Sequence, residues 1–360
     1  MTADLTLIRT HVGRFAAREI APRQAALEHG DPVAAARELV AGLDQLGLLD
    51  LGVAAADDRA ALVAALQVLA GESASVAALL FAHAAGRAVA EAAGATTAAE
   101  AEGTWGCPIY ADLSDADLQV VGGSGDGGVT LLGKLELVAG APVAAHLLVP
   151  ARIDGELELL AVPTSAEGVD IGPPVATLGL RGCPTADVVL RGVQVAAAGR
   201  LARGARAREV LATAERRLRG PALAICAGIG GRSLRGAVDY ARERYQGGSP
   251  ISEHQEVRRL LAGMIADHGL AAGAAERLAI DPALDPGAAA LFASAKERIA
   301  AATCDGVQLL GGYGYMEDYQ QERHMRDAKQ AQVLLGRCEV ARQALVASWL
   351  ADGAPLQEGQ

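Results

Sequence analysis

What most restricts the fold of this chain is a change in residue grammar that it makes twice. Over residues 5–94 apolar residues recur at three- to five-residue steps, as in Leu7, Ile8, Val12, Phe15 and Ile20, with a break at Gly47 and a further run after Ser73 and Ser75. That spacing predicts amphipathic helices. Near Gly103 it gives way to short β-prone runs at 119–121, 129–137, 146–150, 157–162 and 186–190, separated by Gly, Pro and Asp clusters. Such punctuation predicts an antiparallel β domain. After about Ala202 long apolar-striped segments return at 206–246, 253–278, 288–310 and 319–349, the last with a break at Gly336. The expected architecture is mostly α with a central β domain, in three parts: an N-terminal helical domain (1–104), a middle β domain (105–202) and a C-terminal four-helix bundle (203–360).

Composition narrows the function classes. With 360 residues and 51% hydrophobic ones the chain can build several cores, and its 3% aromatic content favours closely packed small side chains. A net charge of −11 argues against a nucleic-acid partner. Five scattered cysteines, Cys107, Cys183, Cys226, Cys304 and Cys338, form no CxxC pair, and neither a disulfide framework nor a metal site is expected. No apolar run reaches the roughly 18 residues of a membrane span, and the first residues lack a signal-peptide core, so a cytoplasmic location is the expectation.

The stretch richest in chemistry is QLLGGYGYMEDYQQERHMRDAKQAQVLLGRCE, residues 308–339. Gly311, Gly312 and Gly314 let the backbone take positive φ or approach a ligand closely; a plain helix-to-helix turn needs the same residues. Gln308, the Gly pair, Glu322-Arg323, Arg326-Asp327-Ala328-Lys329 and Gly336 follow in an order that resembles the C-terminal signature of the acyl-CoA dehydrogenases, flavoenzymes that desaturate acyl thioesters. The resemblance extends along most of the chain. Gln45-Leu46-Gly47-Leu48-Leu49 is similar to the family's LGxLGL turn, Gly133-Lys134 to the start of GxKxWIT, and residues 180–188 to GxRGSPTADV. Residues 240–255, YARERYQGGSPISEHQ, are similar to YAxERxQFGxPIxEHQ.

The family's reaction needs a carboxylate to remove an α-proton and a flavin to accept hydride. The resemblance puts the usual base position at Leu335 and the alternative position, on the first bundle helix, at Leu218; leucine serves at neither. Glu215 lies one turn before Leu218 and is a candidate displaced base, as is Glu136; an exposed Glu in a Glu-Arg-Arg run is the plainer account of Glu215. Arg219 matches a family arginine near the acyl-CoA site and equally reads as a surface arginine.

The resemblance also implies a split cofactor site. The flavin-ring loop expected after Pro108 is shortened, Glu136 stands for the family's Trp, Val138 for its hydroxyl residue, and Arg337 for its Thr. The residues that in the family reach a neighbouring subunit's FAD pyrophosphate and adenosine are present: Arg244, His254, Gln255, Gln308, Gly311 and Gly312, with Gly247 in place of a Phe. The expectation is a subunit without its own base that shares FAD with a second acyl-CoA dehydrogenase subunit. A homo-oligomeric flavoenzyme acting on an acyl-CoA or carrier-protein thioester through a displaced base is one alternative, and a non-redox acyl-thioester-binding protein is another.

Overall fold

The computed structural model describes residues 5–95, 103–111, 119–125, 128–282 and 287–336, together with single positions between 338 and 350. The first segment forms α1 (Leu5–Phe15), α2 (Gln24–His29), α3 (Pro32–Gln45), α4 (Ala56–Glu72) and α5 (Ala74–Ala93). α3 starts where it does because Asp31 caps it, its Oδ1 accepting from the N–H groups of Val33 and Ala34, with Pro32 pre-set for the first turn. α5 stops at Gly94, which takes φ +77°.

By length and composition α5 can cross a membrane, contrary to the expectation from consecutive apolar residues; its hydropathy comes from alanines interrupted by His83 and Arg87. It is a core helix, with 78% of its most apolar window buried inside the protein. Buried His83 bridges Leu49 C=O and the Trp105 N–H, which ties α5 to the first strand.

The sheet holds β1 (Trp105–Gly106), β2 (Val120–Gly125), β3 (Gly128–Ala139), β4 (His146–Ile153), β5 (Glu156–Pro163), β6 (Val169–Pro174), β7 (Thr185–Ala196) and β8 (Arg200–Arg203). Its order is β6-β7-β3-β2-β4-β5-β8, with β1 also pairing β4. The pairings are antiparallel except β1 with β4 and a two-residue stretch of β2 with β4. The periodicity misses β1, β6 and β8: β1 and β8 span only two and four residues, and β6 carries Gly172, Pro173 and Pro174, residues that argue against a strand.

The helices α6 (Gly204–Glu243), α7 (Gln255–Ile280), α8 (Gly287–Leu310) and α9 (Gln321–Ala331) follow, with the hairpin β9 (Tyr245–Gln246) and β10 (Ser249–Pro250) between α6 and α7. Glycine sets how closely α6 meets α4. A Cβ at Gly228 would lie 2.4 Å from the Gln67 carbonyl oxygen.

Candidate functional site

Three places bear on function, and the first is an apolar cavity of about 70 Å³ where α5, β4 and α6 meet. Leu218 and Leu335 both line it, so the two positions expected to carry a base border the same cavity. Leu335 takes φ +56°, a left-handed conformation unusual for a residue with a Cβ. It is held there by its own N–H, which donates to Ile109 C=O at 2.8 Å, and by Lys296 Nζ, which donates to the flanking carbonyls of Leu334 (2.8 Å) and Gly336 (3.3 Å). Lys296 is buried over the Phe292 ring, and burial pushes its pKa down. The remaining walls include Ala85, Val89, Leu148, Leu211 and Ala214.

Among the described residues Glu215 is the one carboxylate on that lining. It is an exposed residue whose Oε1 accepts from Arg219 Nη2 at 2.9 Å, so the guanidinium already holds one of its oxygens. Arg219 thus serves Glu215, while its Nε is buried without a partner among the described residues.

The second place is the bulge in β3, where the register with β7 shifts between Leu135 and Val138. Lys134 Nζ bridges Glu136 Oε1 (3.0 Å) and Asp187 Oδ2 (2.8 Å), and the Leu137 N–H, at φ +53°, donates to Asp187 Oδ1 (3.0 Å). Glu136 is therefore exposed, ion-paired and absent from the cavity lined by Leu335, while Val138 faces the sheet core. Residues 112–118 and Arg337 lie outside the described residues.

The third place is a cleft of about 560 Å³ formed by the end of α6, the β9–β10 hairpin, and the turn after α8. Arg244, His254, Gln308, Gly311 and Gly312 all line it; Gln255, the first residue of α7, is exposed and does not. Gln246 organises the cationic side: its Oε1 accepts from Arg244 Nη2 at 3.1 Å, and its carbonyl accepts from His254 Nε2 at 3.0 Å. Gly247 and Gly248, at φ +67° and +92°, make the hairpin turn, and the first abuts the His254 ring. Gly311 also has positive φ, and a Cβ on Gly311 or Gly312 would meet nothing within 4 Å, so the backbone there is open.

Sequence reasoning missed the aromatic part of this cleft. Tyr240, Tyr313 and Tyr319 pack with ring centroids 5.1–6.2 Å apart, Arg244 lies 6.0 Å over Tyr313, and Tyr245 and Tyr315 are exposed beside them. Five of the chain's six tyrosines thus fall in segments that build one cleft. The clustering Tyr313, Tyr315, Tyr319 in so aromatic-poor a chain was the available signal.

The Arg326-Asp327-Ala328-Lys329 run lines none of these three places. Arg326 donates to Leu178 C=O and pairs with Glu28 and Glu322, joining α9 to the loop before β7 and to α2. Buried Asp327 accepts the Leu180 N–H at 2.7 Å, and desolvation raises its pKa to about 7. Gly179 is required between them, since a Cβ there would lie 2.2 Å from the Arg326 carbonyl oxygen. Among the described residues no group of three His, Cys, Asp or Glu side chains is arranged to hold a metal ion.

Three comparisons with known proteins find similar proteins. Residues 208–350 match the model of the acyl-CoA dehydrogenase C-terminal domain. The 3-(aryl)acrylate reductase of Clostridium sporogenes is 29% identical over 235 residues, 61% of each chain, and the probable acyl-CoA dehydrogenase YngJ of Bacillus subtilis is 35% identical over 194 residues, 52% of this chain and 50% of that one. The chain spans about half to three-fifths of the length of these curated relatives. The butyryl-CoA dehydrogenase of Megasphaera elsdenii has the same fold, with TM-score 0.83 and 22% identity over 97% of this chain and 99% of that one.

Proposed function

We propose, on the premise that this chain has the acyl-CoA dehydrogenase fold and carries that family's C-terminal domain over residues 208–350, that it is a base-lacking subunit that completes the FAD site of a different, base-bearing subunit acting on an acyl thioester. The observation that carries this reading is the contrast between two places. The Arg244 cleft is open, cationic and aromatic, whereas the cavity at Leu218 and Leu335 is apolar and small.

The cleft fits the phosphate-bearing half of FAD. Arg244 offers a planar fork to pyrophosphate oxygens, and the open backbone at Gly311 and Gly312 lets N–H groups approach them. Gln308 and His254 add polar contacts, Gln246 presets Arg244 and His254, and the tyrosines offer flat surfaces to an adenine. Gln255 belongs to this set by position in the motif alone. The chain's own ring site fits poorly: at the β3 bulge Lys134, Glu136 and Asp187 satisfy one another, and Val138 is buried. FAD, when bound, supplies hydride acceptance. The role of this chain is to bind and orient the nucleotide end, and the base and ring contacts come from the partner.

The same reading divides the chain at 104/105 and 202/203, and five free cysteines fit a reducing, cytoplasmic setting. A second reading, a homo-oligomeric flavoenzyme acting on a CoA or carrier-protein thioester, draws on the place of Glu215 in the cavity lining. A visible spectrum after purification separates them. The proposal expects a colourless or insoluble chain alone and a yellow complex after co-expression with a base-bearing partner; a yellow homo-oligomer that reduces with acyl-CoA overturns it.

A further inference from the structure

A cleft of about 470 Å³ lies apart from all three places above, between α1, α4, α6 and α7. Its floor is bare because Gly71 and Gly228 bring α4 against α6 with no side chain to fill the crossing. On its walls Arg9 pairs with Glu276 at 3.0 Å, and His268 Nδ1 donates to Ala227 C=O. Three charges remain. Arg232 and Arg235, one turn apart on α6, have no ion pair or hydrogen bond among the described residues, and neither does the Glu72 carboxylate, whose backbone carbonyl alone is used, by Arg323.

Like charges three residues apart on a helix repel. A shortage of acids does not explain the bare arginines, because the chain has 43 Asp and Glu against 32 Lys and Arg. The chemistry that meets two guanidinium forks is an oxyanion, bound through charge-assisted N–H donors. What meets an unpaired carboxylate on the same cleft is a hydrogen-bond donor, since an ionised Glu only accepts. A fully ionised oxyanion satisfies the arginines and repels Glu72; an oxyanion that keeps a proton satisfies both.

We infer that this cleft is a binding site for a small oxyanion that still carries a proton, of which hydrogen phosphate is the simplest. Arg232 and Arg235 hold the ionised oxygens, and Glu72 accepts from the remaining O–H and selects against sulfate, which has the same shape and no proton at neutral pH. The site is independent of the FAD reading: it shares α6 with the Arg244 cleft but none of that cleft's lining residues.

Isothermal titration of the full chain at neutral pH and constant ionic strength tests it with inorganic phosphate and sulfate. The expected result is saturable phosphate binding, with sulfate about tenfold weaker or worse, the scale of one lost hydrogen bond to a charged group. The double substitution Arg232→Gln/Arg235→Gln weakens phosphate by about tenfold or more on the same scale, and Glu72→Gln brings phosphate and sulfate together because an amide donates to either. The inference is overturned if phosphate gives no saturable heat, if the double substitution leaves it intact, or if wild type binds sulfate as tightly. The phosphate-to-sulfate comparison needs no variant to fold.

Discussion

Leu335 sits in a backbone conformation that costs a residue with a Cβ roughly 1 to 3 kcal/mol, a strain that persists only where the surroundings over-determine it. Here they do: Ile109 C=O takes the Leu335 N–H, and Lys296 fastens both flanking carbonyls. The turn is thus shaped independently of the side chain it displays. On the proposed reading we expect Leu335→Glu to leave the fold intact and not to confer acyl-CoA desaturation, because at the β3 bulge Lys134, Glu136 and Asp187 satisfy one another. Acyl-CoA-dependent reduction of an artificial electron acceptor checks this, and turnover of about 1 to 100 per second, the ordinary enzymatic range, refutes it. Arg244→Ala should lower flavin content per subunit of the assembled complex, on the scale of tenfold weaker binding for one charged hydrogen bond. Arg244→Lys should restore part of it, an ammonium lacking the fork. Flavin absorbance of the purified complexes is the measurement, and unchanged content in the Ala variant makes Arg244 structural.

Among the elements, α9 shows how far sequence reading reaches. Its motif was legible and its place in the fold followed, but the work done by Arg326 and Asp327 was not, because their partners Glu28, Leu178 and Leu180 are distant in the chain and two of them offer only backbone. The long helices were legible to within a few residues since each buries a periodic stripe. β6 was not, and the tyrosine cleft was hidden because its members come from α6, the hairpin and the turn after α8. Asp327 also yields a pH prediction. Its folded pKa is raised to about 7 from an ordinary 3.8 by burial, so the folded state holds the proton more tightly, and this group's contribution to stability falls as pH rises from about 4 to about 7. Asp327→Asn keeps an oxygen for the Leu180 N–H and removes that titration. The urea midpoint of the variant should gain on wild type at pH 8 relative to pH 4, and an equal difference at both pH values refutes the assignment.

For the whole molecule, the exposed apolar groups are spread over several segments. Most of α8's apolar residues, among them Phe292, Ile299, Val307 and Leu310, are buried within this chain, while the exposed large apolar groups include Val346 and Leu350 towards the end of the chain, Tyr245, Tyr315 and Met316 around the Arg244 cleft and Ile265 and Ile280 on α7. Exposed aromatic and Met residues beside a cationic cleft have the composition of an interface core. The chain is accordingly expected not to be a monomer, and light scattering at low micromolar concentration decides it: a folded, monodisperse species at 36.6 kDa removes both this expectation and the shared FAD site. The Arg326 clamp has a further consequence, for the order in which the molecule is made. Arg326 leaves the ribosome 148 residues after Leu178 and 298 after Glu28, the two groups that it joins. Domains generally fold as they emerge, N-terminal first, so through most of translation the loop before β7 and the end of α2 have no α9 to lock against. The helices and sheet that come first must hold their own shape, and the chain acquires its final arrangement only when one late arginine arrives to fasten segments that have waited for it.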